Sequence, residues 1–320
     1  MSNETPSNET PAPVLPERAK SKAPLILGIV GGVAALGIAA ALIVPGLVAP
    51  APATAEEQEL TTVTVGTTNG ADPQWTILAE LLLEEGIVLE TVNFTEYPLP
   101  NPALAAGETD LNSFQHLDYL SNHNVATGDN LQPIGSTVIV PLPLYSEKWD
   151  SVEEFPEGAE IAIPNDPSNQ GRALFVLEAA GLLELTGNPT VPTPADIDAA
   201  TSTVVVTPVE ASQTVAALQS VDGAIINGNF ARDAGIDTST ALFSVDPNDA
   251  RSWPYLNVFA VRAEDVDNPI YLKIAELYHS AVVTDEVVEA SGGTAVVIDL
   301  PGEELRERLA AIEDEKRAAQ

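Results

Sequence analysis

Arg172 is a scarce cation in an awkward place. The stretch "IPNDPSNQGRALFVLEAAGLL" reads as a strand end, a polar turn and an amphipathic helix, and Arg172 is the only basic residue between Lys148 and Arg232. A cation in a helix's first turn is disfavoured by roughly 0.3–1 kcal/mol, because the macrodipole is positive there. Pro164, Asp166 and Pro167 keep the chain before Ser168 out of a helix, so Ser168 or Asn169 is the expected N-cap. The N–H groups that follow lack intrahelical partners and attract anions. A guanidinium beside them adds a planar fork suited to a carboxylate. The competing reading is a surface arginine paired with Glu178 or another acid.

Two further groups could complement such a carboxylate site. Asn227 ends an apolar run in "IINGNFARDAG" and is followed by Gly228 and Asn229. A carboxamide there can hold an α-amino or α-carboxyl group, or simply close a turn. Asp72, Glu96 and Asp246 could also attract an ammonium. Tyr97, Phe114, His116 and Tyr119 concentrate aromatic and imidazole groups in a short span. With a helix expected over Phe114–Asn124, His116 and Tyr119 share a face. Such a rim suits a small apolar or thioether side chain, and ordinary core packing would use the same residues.

Catalytic patterns are missing. There is no G-x-S-x-G, no H-E-x-x-H and no Gly-rich phosphate loop; "GTTNGAD" has two glycines but neither a Lys nor a third Gly. His116 and His123 lie two turns apart on the expected helix, too far for one ion without outside ligands. No enzyme activity, cofactor or metal is expected.

These residues need a scaffold, and the chain can build one. It has 320 residues, 45% of them hydrophobic, so a sizeable core is available. The formal net charge of −34 argues against nucleic acid and anionic membrane surfaces as partners. There is no cysteine, which excludes disulfides, thiolate chemistry and lipid attachment through a cysteine. Residues 1–23 are polar and Pro-rich, with a doubled "SNETP", and read as a disordered cytoplasmic tail. Leu25–Val48 is uncharged and long enough to span a bilayer, with Arg18, Lys20 and Lys22 before it, so the remainder is expected outside the cytoplasm. The run is read as a retained membrane anchor; the alternative is a secreted chain cleaved after "ATA" at Ala53–Ala55. Residues 49–60 are a linker.

From Thr61 onward strand and helix patterns alternate. Strands are expected at Thr61–Gly66, Ile87–Phe94, Ser136–Ser146, Ala159–Pro164, Ser202–Glu210, Gly223–Asn227 and Tyr255–Arg262, with helices between and after them. This predicts an α/β protein with largely parallel sheets. Stiff extended segments near Pro141–Tyr145 and Asp246–Pro254 suggest two crossings between two lobes, with the ligand crevice at strand carboxyl ends.

Four segments in order resemble the NlpA lipoprotein family: "FTEYPLPNPALAAGETDLNSFQHLDYL", "PNDPSNQGRALFVLEAAGLLEL", "IINGNFARDAG" and "WPYLNVFAVRAED". The likeness runs from about Thr61 to Gly292. It implies a bilobed, type II periplasmic-binding-protein clamshell, preceded here by the N-terminal transmembrane helix. Lobe 1 is expected over 61–142 and 251–320, and lobe 2 over 143–250. It also implies the substrate-binding protein of a methionine-type ABC importer, with permease subunits as partners and L-methionine as the expected ligand. Another amino acid, a short Met-containing peptide or a non-transport surface role remains the alternative. Carried over, Arg172 looks like the carboxylate partner. Tyr97, Phe114, His116 and Tyr119 look like pocket walls, and Asn165, Asn169, Asn227 and Asn229 like polar ligands. Three departures stand out: Phe230 where the family has Tyr, Gly228 two residues before it, and, largest, the missing lipid-bearing cysteine.

Overall fold

The computed structural model describes residues 60–187 and 189–318. The predicted tail, the Leu25–Val48 run and nearly all of the linker lie outside the described residues. No described helix is long and apolar enough to cross a membrane.

In chain order the elements are β1 (Thr61–Thr67), α1 (Pro73–Glu84), β2 (Ile87–Asn93), α2 (Pro100–Ala105), β3 (Leu111–His116), α3 (Leu117–Thr127), β4 (Leu131–Ile139), β5 (Leu144–Tyr145), β6 (Ala159–Pro164), α4 (Pro167–Ala179), β7 (Val204–Val209), α5 (Thr214–Leu218), β8 (Gly223–Ile225), α6 (Gly228–Asp233), β9 (Leu256–Arg262), α7 (Pro269–Tyr278), α8 (Ala281–Ala290), β10 (Val296–Val297) and α9 (Gly302–Ala318). They form two sheets. A six-stranded sheet has the order β10-β4-β9-β3-β1-β2, and a four-stranded sheet the order β5-β8-β6-β7. The chain leaves the larger sheet after Ile139, builds the smaller one, and returns at Leu256.

The first unit shows how local chemistry makes these elements. β1 places Val63 and Val65 on its buried face, following the period of two that a strand imposes. Asp72 precedes α1 and Pro73 opens it, where a missing N–H costs nothing. Gly86, at φ 79°, supplies the left-handed residue after the helix. Trp75, Leu78 and Leu82 of α1 then pack with Val63, Val65, Leu111, Phe259 and Ile274. Each such side chain contributes about 1.5–3 kcal/mol on burial. The smaller sheet has its own apolar layers: Ile161, Ile163 and Ile225 meet Leu174 and Leu177 of α4 on one side, and Ala162 and Ala224 meet Leu218 on the other.

Several sequence expectations need correction. The sheets are mixed. β1 pairs in parallel with β2 and β3, and β6 with β7 and β8, but β9 runs antiparallel to β3 and β4, as do β10 to β4 and β5 to β8. The returning strand β9 enters between β4 and β3 from the opposite end, which no local pattern encodes. "FQH" lies at the end of β3 rather than in a helix, and α3 begins only at Leu117. The run Ser136–Ser146 divides into β4 and β5 around residues 140–143, because Pro141 and Pro143 cannot donate to a sheet ladder.

Candidate functional site

Helix α4 is set by Asp166, not by Ser168 or Asn169. Asp166 is the N-cap and Pro167 the first helical residue. The Asp166 carboxylate accepts from the Asn169 backbone N–H at 2.9 Å, from Ser168 Oγ at 2.8 Å and from Asn169 Nδ2 at 3.0 Å. Arg172 therefore sits in the second turn, where the macrodipole has largely faded. The cap also occupies the helix-end N–H group that the sequence had offered to a ligand.

Arg172 is only 9% exposed. Its Nη2 donates to the Val140 carbonyl at 2.5 Å, and the guanidinium lies 4.4 Å from the centre of the Tyr255 ring. Among the described residues no carboxylate comes within ion-pair range of it, so the surface pairing with Glu178 does not occur. Burial lowers its pKa to about 10. A buried cation held by one carbonyl and one ring face still has most of its donors to give.

From Asp166 the hydrogen bonds run outward. Asn169 turns Nδ2 to Asp166, which leaves Oδ1 to accept from Asn227 Nδ2 at 3.1 Å and to face His116 Nε2 at 3.4 Å. His116 Nδ1 accepts from the Tyr119 backbone N–H at 3.1 Å. The imidazole is therefore the neutral Nε2–H form. Burial, reinforced by Arg172, pushes its pKa down to about 3. Asn227, its Nδ2 engaged, keeps a buried Oδ1 without a partner. Asn229 accepts from Tyr97 Oη at 2.5 Å and is left with an unpartnered Nδ2.

These groups line one cavity of about 140 Å³ between the two sheets. Tyr97, Phe114, His116 and Tyr119 come from the larger sheet's side, and Asn169, Arg172, Asn227 and Asn229 from the smaller's. The aromatic wall is continuous: Tyr97 lies 6.2 Å from Phe114 and 6.0 Å from Tyr119, and Phe114 lies 5.7 Å from Tyr119. Asn165 is exposed and does not line the cavity. Glu96 and Asp246 are exposed as well; of the three acids considered, only Asp72 lines the cavity, where it pairs with Arg232.

Behind Arg172 and Tyr255 lies a larger groove of about 900 Å³. Orphaned polar atoms decide between the two spaces. Gln74 Oε1, Asn227 Oδ1 and Asn229 Nδ2 are buried, unpartnered and on residues of the small cavity's wall, whereas no such residue lines the groove. Gln74, Arg232 and Tyr255 were not singled out from the sequence, and Phe230 was noted only as a departure from the family pattern. Arg232 carried a usable signal, a second isolated cation three residues after Asn229. Among the described residues no group of three His, Asp or Glu side chains is placed to hold a metal ion. His123 is engaged with Asp129 at 2.8 Å.

The cavity thus offers a buried guanidinium and an amide donor for an anion, a carboxamide oxygen for a cation, and an aromatic wall for an apolar side chain. Residues 63–298 match the family model described as NlpA lipoprotein. A protein of Pasteurella multocida, named a probable D-methionine-binding lipoprotein MetQ, is 34% identical over 251 residues, covering 77% of this chain and 90% of its own. The substrate-binding protein of a methionine transporter from Streptococcus pneumoniae superposes with a TM-score of 0.69 at 34% identity, over 74% of this chain and 95% of its own. A nutrient-binding protein from Burkholderia cenocepacia, solved bound to methionine, gives 0.68 at 31% identity, over 74% and 99%.

Proposed function

This chain belongs to the NlpA lipoprotein family, and from that premise we propose that it is the solute-binding receptor of an ABC importer, taking methionine between its two sheets. It is a binding protein and not an enzyme. The carboxylate of the amino acid pairs with Arg172 and Asn229 Nδ2. The ammonium donates to Asn227 Oδ1. The thioether side chain lies against Tyr97, Phe114, His116 and Tyr119. The observation that carries this reading is Arg172: a buried cation on the cavity wall, with no carboxylate of the described chain beside it. His116, neutral, adds no second charge. A cavity of about 140 Å³ favours a single amino acid over a peptide; an apolar void of about 150 Å³ takes up a ring the size of benzene.

The two sheets with their cores are proposed as lobes that close over the ligand, lobe 1 over 61–142 and 251–320 and lobe 2 over 143–250. Because the ligand touches both, it binds the closed form better and shifts the population toward it. The closed form then docks on the permease. We further propose that Leu25–Val48 holds the receptor at the outer face of the cell membrane, in place of a lipid.

Isothermal calorimetry on the purified full-length chain tests the reading, with L-methionine, D-methionine, other amino acids and Met-containing dipeptides as titrants. Saturable heat with one or both methionine isomers supports it. Heat only with a different amino acid or a dipeptide would replace the ligand. No heat with any of them would remove the receptor role.

A further inference from the structure

The cavity wall holds one ion pair that the ligand-binding arrangement does not use. Arg232 Nη2 lies 2.7 Å from Asp72 Oδ2, with side-chain exposures of 22% and 14%. Arg232 belongs to α6, on the smaller sheet's side, and Asp72 precedes α1, on the larger's. The pair therefore spans the cleft. Asp72 is also spent in an unusual way. An Asp at an N-cap ordinarily accepts from its own helix's N–H groups, yet Asp72 makes no such bond. Its Oδ2 instead accepts from Asn69 Nδ2 at 2.7 Å, from Gln74 Nε2 at 3.4 Å and from Arg232. Asn69 is itself fixed by Thr67 Oγ1 at 2.5 Å and faces Trp75 Nε1 at 3.3 Å. The carboxylate is thus held in place by its own half and aimed at the other. Asp233, beside Arg232 on α6, makes no ion pair with a described residue.

We propose that Asp72 and Arg232 form an electrostatic latch across the cleft, which holds the lobes closed and slows ligand release without touching the ligand. This rests on the receptor reading above. A partly buried, hydrogen-bonded pair is screened by salt less than an exposed one and acts chiefly on dissociation. The same pair favours closure of the ligand-free protein, so its removal leaves the association rate unchanged or raises it.

Stopped-flow dissociation of methionine from the full-length protein tests the latch. Arg232→Gln and Asp72→Asn should each raise the off-rate about tenfold or more, without lowering the on-rate. The double variant should be no faster than either single one, since both remove one interaction. Arg232→Lys and the exchange Asp72→Arg with Arg232→Asp should recover part of the slow release, which a merely structural defect would not. Single substitutions that leave the off-rate unchanged, or effects that add in the double variant, overturn the latch. A ligand-free arm separates this from failure of the receptor reading. The native chain has no cysteine, so Glu80→Cys and Ala199→Cys on opposite halves can carry a fluorophore pair. Energy transfer should fall when Arg232→Gln is added, whether or not methionine binds; unchanged transfer counts against the latch by itself.

Discussion

At the scale of single residues, the site depends on a cation stripped of water and of acidic neighbours. Replacing Arg172 by Ala should weaken methionine binding by about 2–5 kcal/mol, the loss typical of truncating one partner of a buried charge pair; calorimetry on the variant checks this. His116 makes a separate prediction. Its pKa in the folded protein is about 3, against 6.5 for a free side chain. Between those values the unfolded chain binds the proton and the folded chain does not, so the contribution of His116 to stability is intact above about pH 6.5 and falls as pH drops toward 3. The slope attributable to one such group is about 1.4 kcal/mol per pH unit at most. Urea unfolding from pH 6.5 to 4 should show a shallower loss in His116→Gln than in the native protein, and equal slopes would contradict the neutral, buried imidazole. Arg172 was visible in the sequence because cations are rare around it. Its stacking on Tyr255 was not, since Tyr255 arrives with the chain's return into β9; its isolation from Glu178 follows from the helix itself, because residues six apart on α4 point to different faces.

At the scale of elements, α4 and its cap do most of the positioning. Asp166 holds Asn169, and Asn169 orients Asn227, so a defect at the cap should travel to the group proposed to receive the ligand's ammonium. Asp166→Ala should cost about 0.5–2 kcal/mol of stability, read as a lower urea midpoint with an unchanged slope, and should weaken binding too. Normal binding by a destabilised variant would sever the proposed chain from cap to site. Elements with a clear period and clean ends were legible: β1 from its alternation, and α1 from Asp72, Pro73 and Gly86. The cap of α4 was misplaced by two or three residues because Pro167 is as good at the first helical position as it is before a helix. "FQHLDYL" has apolar spacing that serves either state, and the pairing of His116 with Asn257 on β9 decided for strand. The short helix α6 hid within "NGNFARD", whose Asn-Gly looks like a turn. It is this helix that brings Phe230 to 5.0 Å from the Tyr97 ring.

At the scale of the whole molecule, the two-sheet plan was readable from repeated strand and helix units and from the stiff segments that join them. The antiparallel entry of β9 was not, because strand order is a long-range property. Closure supplies a global prediction. Methionine at about a hundredfold excess over its dissociation constant should raise the unfolding free energy by about 2.7 kcal/mol, and should reduce the radius of gyration in small-angle X-ray scattering. Stabilisation without compaction would mean that the lobes do not move.

The central claim is that the Arg172 guanidinium holds the carboxylate of the bound amino acid. Calorimetry with methionine and methioninamide, on the native protein and on Arg172→Gln, tests it most directly. The native protein should bind methionine at least about thirtyfold more tightly than the amide, a difference of about 2 kcal/mol, and the variant should show almost none of that preference. An undiminished preference in Arg172→Gln would place the carboxylate elsewhere and contradict the account.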